Sequence, residues 1–535
     1  MVSNGVTKNG NAAEVNGAPL LPFGLDLVQT VRQIALDQSL AAFDRSRHIA
    51  ERVQTELQVH GSFFRTHGGR LFYFSDSERR LLDLHEARFL DFLKAQTGLG
   101  ATEGVLRFVL DRLDNAAKQA KAIEIQSLSY YDPETGRLVV SNGGRGAWRR
   151  ERGGEWTRGL NGEDDIFFIT DLDADSWEPE FKASEFLDDF EWFLNRFKLT
   201  NFTHRVSRED QVSWLGASLR QWFFPALRGN QMIPAFFGTQ GTFKTTSLRL
   251  IGRLLIGPRF EVCALSGWRH ADFVAAVSTR VVLALDNVDC KPAWLQDAIS
   301  NFATGARFEA QRHGLANEAV SVDPTARLMV SSGRPFGRAD IAERVLPLFC
   351  GRPERFVPDS VLFDELASRR SRIMGDLLRS LGSAADRFAQ AQPKAGPLRM
   401  ADFGWFILGP STQKNDSEKT NENLRLLEEL QKAQGLLSCD ADDVIVALNI
   451  LLNQAGDDIG PIFIGELFEM CKMVARENQL SLPATVQGFG QRLTNLKPVI
   501  ELELKARFID ERRHSNMRCI SILRNPDKTK RARKA

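Results

Sequence analysis

Apolar and polar residues recur along the chain with a period that changes from region to region. Residues 25–58 and 78–96 repeat apolar side chains at helical spacing, which predicts helices. The stretch between them, GSFFRTHGGRLFYFSD, predicts two short strands around a His-Gly-Gly turn. Residues 123–169 contain short apolar runs broken by turn dipeptides, which indicates a small β-rich unit.

Residues 190–350 alternate longer apolar runs with helical patterns. This pattern is typical of an α/β unit with a mainly parallel sheet. The predicted strands are PAFFG, EVCAL, RVVLALD, ARLMVS and VLPLF. Residues 351–434 are predicted to be helical with one polar break, and the last hundred residues predict helices followed by a strand, a turn and a strand.

The fold predicted from these patterns is a multidomain α/β protein, because 535 residues exceed what one hydrophobic core normally serves. The predicted divisions are a disordered tail (1–20), a helical and β-rich accessory domain (21–189), a central domain with the parallel sheet (190–375), a helical lid or linker (376–440), a C-terminal domain (441–525) and a basic tail (526–535).

Composition limits the classes of function. The chain has 69 Lys and Arg against 68 Asp and Glu, so no overall field draws it to nucleic acid or membrane, and any basic surface must be local. The six cysteines lack the close pairs of a zinc site or a redox dithiol. No apolar run has the length of a membrane span, and the polar start lacks the apolar core of a signal peptide. We therefore expect a cytoplasmic protein without a membrane partner.

Residues 236–247 read FFGTQGTFKTTS, a near match to the phosphate-binding pattern G-x-x-x-x-G-K-[ST]. A predicted strand precedes the match and a predicted helix follows it, as phosphate binding by main-chain N–H groups and a helix N-terminus requires. The departure is Phe243, which replaces a glycine and must either turn outward or narrow the site. The predicted nucleotide-binding residues are Gly238, Thr239, Gln240, Gly241, Thr242, Phe243, Lys244, Thr245 and Thr246.

A second motif is the apolar run VVLALDN, which ends in Asp286. A carboxylate at the carboxyl end of such a strand holds magnesium or its bound water. We expect Asp286 on the strand adjacent to the loop, forming a metal site with Thr245, so the predicted cofactors are ATP and Mg²⁺. Asn287 follows; an asparagine positions water but cannot accept its proton, which leaves slow hydrolysis or a base from Asp289 as alternatives.

Two further segments supply candidate catalytic residues. ARLMVSSGR ends a third strand in two serines, of which Ser332 is the candidate sensor of the γ-phosphate. RADIAERVLPL contains Arg344 and Arg338, the first and second candidates for an arginine that stabilises transferring phosphate charge across a subunit boundary. Taken alone, each arginine is typical of a surface ion pair.

The series GTQGTFKTT, VVLALDNVDCKPAWLQDAISNFATG, LMVSSGRP and ADIAERVLPL resembles the helicase-like ATPases of phages and mobile elements, close to superfamily 3 and AAA+ ATPases and to the helicase part of phage primase-helicases. The resemblance covers residues 190–350, and RMADFGWF extends it. It implies a P-loop ATPase in residues 190–375 that acts as a DNA helicase or translocase in replication. It also implies a homo-oligomeric ring, a hexamer, with DNA and with a primase or other replication proteins as partners.

The same resemblance assigns further residues. It implies catalytic roles for Lys244, Asp286 and Asn287, and a channel hairpin that makes Arg312 and His313 candidate DNA contacts, with a solvated loop as the alternative for those two. The last unit resembles a winged-helix domain, which binds either DNA or protein. Its candidate DNA contacts are Gln487, Gln491, Arg492 and Asn495 on a helix and Arg512, Arg513 and His514 on the wing.

Two rival functions stay open at this point. One is a nucleotide-dependent switch or defence ATPase that assembles without unwinding DNA, which Phe243 and Asn287 permit. The other is a winged-helix replication adaptor that carries a degenerate ATPase fold.

Overall fold

A computed structural model gives the architecture of most of the chain. The predicted tails, the candidates Arg312, His313 and Arg513, and Asp289 and His514 lie outside the described residues. The described residues are 25–100, 104–171, 174–181, 188–201, 206–225, 232–288, 292–311, 319–333, 336, 338–353, 355–389, 391, 398–408, 424–428, 431, 443–456, 458–478, 480, 482–504, 506–512 and 518–524.

The first unit packs four helices around a small antiparallel sheet with strand order β1-β2-β3. The predicted strands around the His-Gly-Gly turn are present as β1 and β2. The helical region predicted over residues 25–58 is present as two helices. The elements are α1 (Leu25–Leu36), α2 (Ala42–Val59), β1 (Gly61–Arg65), β2 (Leu71–Ser75), β3 (Arg80–Asp83), α3 (Ala87–Thr97) and α4 (Gly104–Gln119).

The prediction of one helix over residues 78–96 is wrong at its start. Strand β3 pairs with β2, and α3 begins only at Ala87. Successive side chains of a strand point to opposite faces. Leu81 belongs to the core shared with the central sheet, whereas Leu82 belongs to the core of the first unit. Two adjacent leucines therefore serve two cores, which a strand allows and helical spacing conceals.

The β-rich unit is present as predicted between residues 123 and 169. Four strands form an antiparallel meander, and the outer pair β4 and β9 is parallel. The strands are β4 (Ile125–Gln126), β5 (Ser129–Tyr131), β6 (Leu138–Ser141), β7 (Gly146–Arg150), β8 (Thr157–Leu160) and β9 (Phe167–Phe168).

The central unit contains a parallel five-stranded sheet with strand order β11-β12-β15-β10-β16. The apolar runs predicted its strands, although EVCAL contributes only two residues. The elements are α5 (Asp189–Leu194), α6 (Arg208–Gln221), β10 (Ile233–Phe237), α7 (Lys244–Leu255), β11 (Cys263–Ala264), α8 (His270–Thr279), β12 (Val282–Asp286), α9 (Ala293–Ala303), β13 (Phe308–Gln311), β14 (Ala319–Val322), β15 (Arg327–Ser332), α10 (Ala339–Ala342), β16 (Val345–Phe349), α11 (Asp359–Phe388) and α12 (Ala401–Leu408).

The β-rich unit and the central sheet share one hydrophobic core. Tyr131 of β5 meets Phe224 edge to face, with ring centroids 4.9 Å apart. The core thus crosses the predicted boundary at residue 189, and α11 runs unbroken through the predicted boundary at residue 375. The accessory strands are consequently held rigidly against the unit that contains the candidate site.

The last unit has its own core. Its two helices before the final hairpin were predicted, and a further helix and strand precede them. The sheet is antiparallel with order β17-β19-β18. The elements are α13 (Asp443–Gln454), β17 (Asp458–Phe463), α14 (Ile464–Glu477), α15 (Val486–Glu503), β18 (Arg507–Arg512) and β19 (Arg518–Leu523). Within the described residues, no helix combines the length and the apolar character needed to span a bilayer.

Candidate functional site

The predicted phosphate loop connects β10 to α7 at the carboxyl edge of the sheet. A Cβ atom at Gly238 would lie 2.5 Å from the Thr242 hydroxyl oxygen and 2.7 Å from the Cys350 carbonyl oxygen, so only glycine fits there. The Thr242 hydroxyl donates to the Thr239 carbonyl at 2.7 Å, which closes the turn from within. The loop is thus a compact turn leading directly into a helix N-terminus.

Phe243 ends this loop in a left-handed conformation, with φ 62° and ψ 9°. A residue with a Cβ atom pays roughly 1–2 kcal/mol for that conformation, which glycine adopts freely. The Phe243 carbonyl accepts hydrogen bonds from the amide and the hydroxyl of Ser247, at 2.9 and 2.8 Å. The first turn of α7 therefore fixes the backbone in the shape that glycine usually provides.

Lys244 is the first residue of α7, and its side chain folds over the loop. The ammonium donates to the carbonyl oxygens of Gly238 and Thr239, at 2.5 and 2.7 Å. These are weak acceptors compared with phosphate oxygens, so an anion in the loop would compete well for the same charge. The lysine is poised over the concavity in which the sequence predicts phosphates.

Thr245 and Asp286 meet, as a shared metal site requires. The Thr245 hydroxyl lies 2.9 and 3.1 Å from the two carboxylate oxygens of Asp286. The expectation that Asp286 stands on the strand adjacent to the loop strand is wrong, because β15 is inserted between β10 and β12. Thr245 lies in the first turn of α7, and this turn reaches past β15, so Thr245 contacts Asp286 even though β15 separates β10 from β12.

The inserted strand contributes a residue that the sequence analysis did not select. The Ser331 hydroxyl donates to Asp286 and accepts the amide of Asn287, the latter at 3.0 Å. Ser332, the predicted sensor, is the next residue of the strand, where the side chain points to the other face. Adjacent residues of a strand point to opposite faces of the sheet. Asking which of the two serines of β15 shares a face with Asp286 of β12 was the signal that could have distinguished Ser331 from Ser332.

Asn287 follows Asp286 in a left-handed conformation, with φ 55°, and is exposed. The backbone N–H of Asn287 donates a hydrogen bond to the Ser331 hydroxyl, and the chain turns sharply there, at the end of β12. An asparagine tolerates this conformation better than most residues. The exposed Asn287 side chain therefore lies just past the end of β12, next in sequence to Asp286.

The two candidate arginines lie apart from this cluster. Arg344 immediately precedes β16, whose first residue, Val345, is in register with Ile233 at the start of β10. Its guanidinium donates to the Ser300 carbonyl at 2.8 Å, and desolvation lowers its pKa. Arg338 is exposed and pairs with Asp297 and Asp340, at 2.7 and 2.8 Å. Within one chain Arg344 does not join Lys244, because it lies at the amino ends of the strands and the loop lies at their carboxyl ends.

The candidate DNA contacts are described only in part. Gln487, Gln491 and Arg492 are exposed on one face of α15, whose other face buries Phe489, Leu493 and Leu496. The backbone of Arg512 ends β18, opposite Arg518. The helix therefore presents polar side chains on the face that the sequence analysis predicted.

A cavity of about 350 Å³ opens beside the loop. It is lined by Phe243, Lys244 and Thr245, by Arg196 and Lys198, and by Phe356 at the approach to α11. Sequence reasoning missed the last three residues because they lie about forty or more residues from the loop and carry no motif.

Together these features define a multidomain α/β protein in which a lysine and a threonine from one helix N-terminus and a carboxylate from a parallel strand converge at the carboxyl edge of a sheet. Residues 196–414 match the family model described as the actinomycete integrative conjugative element replication protein. Over that range the chain is similar to a replication protein of a mobile element.

Comparisons with solved structures and curated proteins add little. The A-form apo structure of the NrS-1 C-terminal region is 9% identical and covers 88% of this chain and 98% of its own, with a TM-score of 0.36. A second apo structure of that region is 10% identical, with the same coverage and a TM-score of 0.35. Similarity at this level carries no argument here. No curated protein matches the chain.

Proposed function

We propose that the protein is an ATP-driven DNA helicase or translocase that acts in the replication of a mobile element. The observation that carries the proposal is the contact of Thr245 with Asp286, directly beside Lys244 at the start of α7. A loop, a lysine, a hydroxyl and a carboxylate in this arrangement supply every group that a P-loop site uses to hold a magnesium-bound triphosphate.

The donor set fits Mg²⁺ and ATP. Main-chain N–H groups of the loop and the positive end of α7 would face the β- and γ-phosphates, and Lys244 would exchange its carbonyl acceptors for phosphate oxygens. Among the described residues no group of three or more His, Cys, Asp or Glu side chains could hold a metal by itself. Magnesium suits this site, because it commonly takes one or two carboxylates and completes its shell with phosphate oxygens and water.

Bound magnesium would neutralise charge on the phosphates during transfer. Thr245 and Asp286 would orient the ion, and Ser331 would keep Asp286 facing the site. Asn287 would position the attacking water without accepting its proton. In a ring of this chain, Arg344 or Arg338 of one copy would complete the site of its neighbour.

The last unit supports a role on DNA. Its order of helix, strand, two helices and two strands supports the proposal of a winged helix, with α15 as the second of two consecutive helices. We propose that the exposed face of α15, including Gln491 and Arg492, contacts DNA, with the hairpin of β18 and β19 as the wing. A protein-docking role for the same face is the alternative.

The proposal is tested by ATP turnover with and without single-stranded DNA, for the unmodified protein and for Asp286→Ala. We expect turnover that DNA stimulates and that the variant lacks. Asp91→Ala is the matched control, because Asp91 is an exposed carboxylate of α3 outside the site. Unchanged turnover in Asp286→Ala would overturn the assignment of the site.

Strand-displacement and translocation assays then separate the rival functions. DNA-stimulated turnover without unwinding or movement would favour a switch or defence ATPase. An adaptor with a degenerate ATPase fold would show the same negligible ATP affinity with and without Lys244→Ala.

A further inference from the structure

Phe243 occupies a position where its backbone conformation is unfavourable for any residue with a Cβ atom. Glycine would supply the same turn without strain. Strained residues of this kind cluster at ligand-binding sites, where a side chain in that place contributes something a glycine lacks. The question is what the phenyl ring contacts.

The ring lies at the edge of the main hydrophobic core and is only partly buried. Its free side lines the 350 Å³ cavity beside the loop. Lys244, Thr245 and Thr246 line the same cavity, so the ring is continuous with the predicted phosphate site. A nucleotide whose phosphates occupy the loop could extend its ribose and base into this cavity, where the ring is one of the lining groups.

The segment that leads into α11 contributes exposed apolar side chains to the cavity lining. Phe356, Val357 and Val361 are exposed by 64%, 60% and 54%, and all three line the cavity. Arg352 lies over the Phe356 ring, 5.7 Å from its centroid. Arg196 contributes a cation at the rim. Much of the remaining lining is charged or polar, so the aromatic surface of the cavity comes from Phe243 and Phe356.

We propose that Phe243 is a nucleotide-contacting residue, and that it holds the base of the bound nucleotide in this cavity, with Phe356 as a second aromatic contact. The inference rests on the proposed function, since the phosphates must lie in the loop for the base to reach the cavity. It gives the departure from the usual glycine a role: the phenyl ring supplies affinity for the base at the point where glycine would supply only flexibility.

The experiment compares a ligand with a base to one without. Equilibrium binding of Mg-ADP and of inorganic tripolyphosphate is measured for the unmodified protein, Phe243→Leu and Lys244→Ala. Leucine keeps the Cβ atom and its backbone demands but removes the ring. We expect Phe243→Leu to weaken ADP binding about 5- to 150-fold, the range of base–aromatic stacking, and to leave tripolyphosphate binding unchanged. Lys244→Ala should weaken both ligands.

Two further variants serve as a second test and as a control. Phe356→Leu should also weaken ADP selectively, and it keeps the proposal testable if Phe243→Leu does not fold. Phe43→Leu, an exposed phenylalanine of α2, is the matched control and should change neither affinity. Gel filtration of each variant reports whether the cavity wall is instead covered by a second copy of the chain.

The outcomes are distinct. Equal weakening of both ligands in Phe243→Leu would show that the ring only shapes the loop, and no change in either would show that it contacts no nucleotide. A change in oligomeric state with unaltered ADP affinity would assign the wall to subunit contact. If the unmodified protein binds neither ligand, the proposed function itself fails and this inference fails with it.

Discussion

The hydroxyl of Ser331 connects the end of β12 to the inserted strand β15. It donates to the Asp286 carboxylate and accepts the Asn287 amide at 3.0 Å, and its side chain is fully buried. Ser331→Ala removes both hydrogen bonds without adding volume. We expect this change to slow ATP turnover while substrate binding through Lys244 is retained.

The size of the effect follows from the bonds that are lost. A hydrogen bond to a charged group contributes about 1.5–3 kcal/mol. If about 1.5–2 kcal/mol of that is lost from the orientation of Asp286, kcat falls about 10- to 30-fold. Loss of the acceptor for the Asn287 amide adds a cost to stability, so thermal unfolding of the variant must be measured alongside turnover.

The matched control is Ser332→Ala, because the two serines are adjacent, equally buried and of equal size. Steady-state turnover at saturating magnesium and ATP is compared for both variants at a temperature where both are folded. The reasoning is refuted if Ser331→Ala turns over like the unmodified protein, or if Ser332→Ala is the more damaging change. The second result would support the sequence-based prediction of Ser332 as the sensor.

Four further predictions concern stability, coupling and assembly. Asp386→Asn should lower the free energy of unfolding in urea by about 1–3 kcal/mol relative to Asp91→Asn, because it disrupts the pair that Asp386 forms with Arg150 at 2.7 Å; an unchanged unfolding curve would contradict this. Hydrogen bonds to Asp114 and Asp83 raise the pKa of His85 from 6.5 to about 9, so the stabilisation of the fold by protonated His85 is complete below pH 6.5 and is lost as the pH rises through 9. The melting temperature of the unmodified protein should therefore fall over that interval more steeply than that of His85→Asn. Parallel profiles of melting temperature against pH would refute this prediction. Gly68→Val should reduce the stimulation of ATP turnover by DNA but not basal turnover, because a Cβ atom at Gly68 would lie 2.1 Å from the Ser321 carbonyl at the base of the β13–β14 hairpin. Gly104→Ala is the control, because a Cβ atom there meets nothing within 4 Å. Equal stimulation in both variants would argue against coupling between this hairpin and ATP turnover. Mixed Lys244→Ala and Arg344→Ala subunits should regain part of the turnover that each variant lacks alone, and no recovery in mixed rings would count against an arginine acting between subunits.

Much of the central sheet could be predicted from the sequence because each buried parallel strand is a continuous apolar run. This apolar run marks three strands of the sheet to within a few residues of their ends: Val282–Asp286, Arg327–Ser332 and Val345–Phe349. The loop was predictable because the glycines, lysine and hydroxyl of its pattern lie within eight residues of one another, from Gly238 to Thr245. Local patterns thus identified the strands and the first half of the site.

Strand order and side-chain facing were not predictable in this way. The insertion of β15 between β10 and β12 depends on chain crossovers that no local pattern records. Strand β3 was mistaken for a helix because Leu81 and Leu82 serve different cores, which becomes evident only when both cores exist. Ser331 and Phe356 were missed because their roles depend on neighbours distant in sequence.

The placement of Arg344 decides how the site must be completed. Parallel strands rise about 3.3 Å per residue, so the five residues of β10 separate the sheet edge near Arg344 from the phosphate loop by about 16 Å. An extended arginine side chain does not cover that distance, and the Ser300 carbonyl at 2.8 Å holds this one toward α9. Within one chain, therefore, Arg344 cannot stabilise phosphate held by Lys244. Either a second copy presents its amino-edge arginine to this carboxyl edge, or the proposed transfer proceeds without Arg344, with Lys244 and cations such as Arg196 and Lys198 that line the cavity beside the loop. The mixed-subunit experiment separates these cases, because only the first allows two inactive chains to form an active pair.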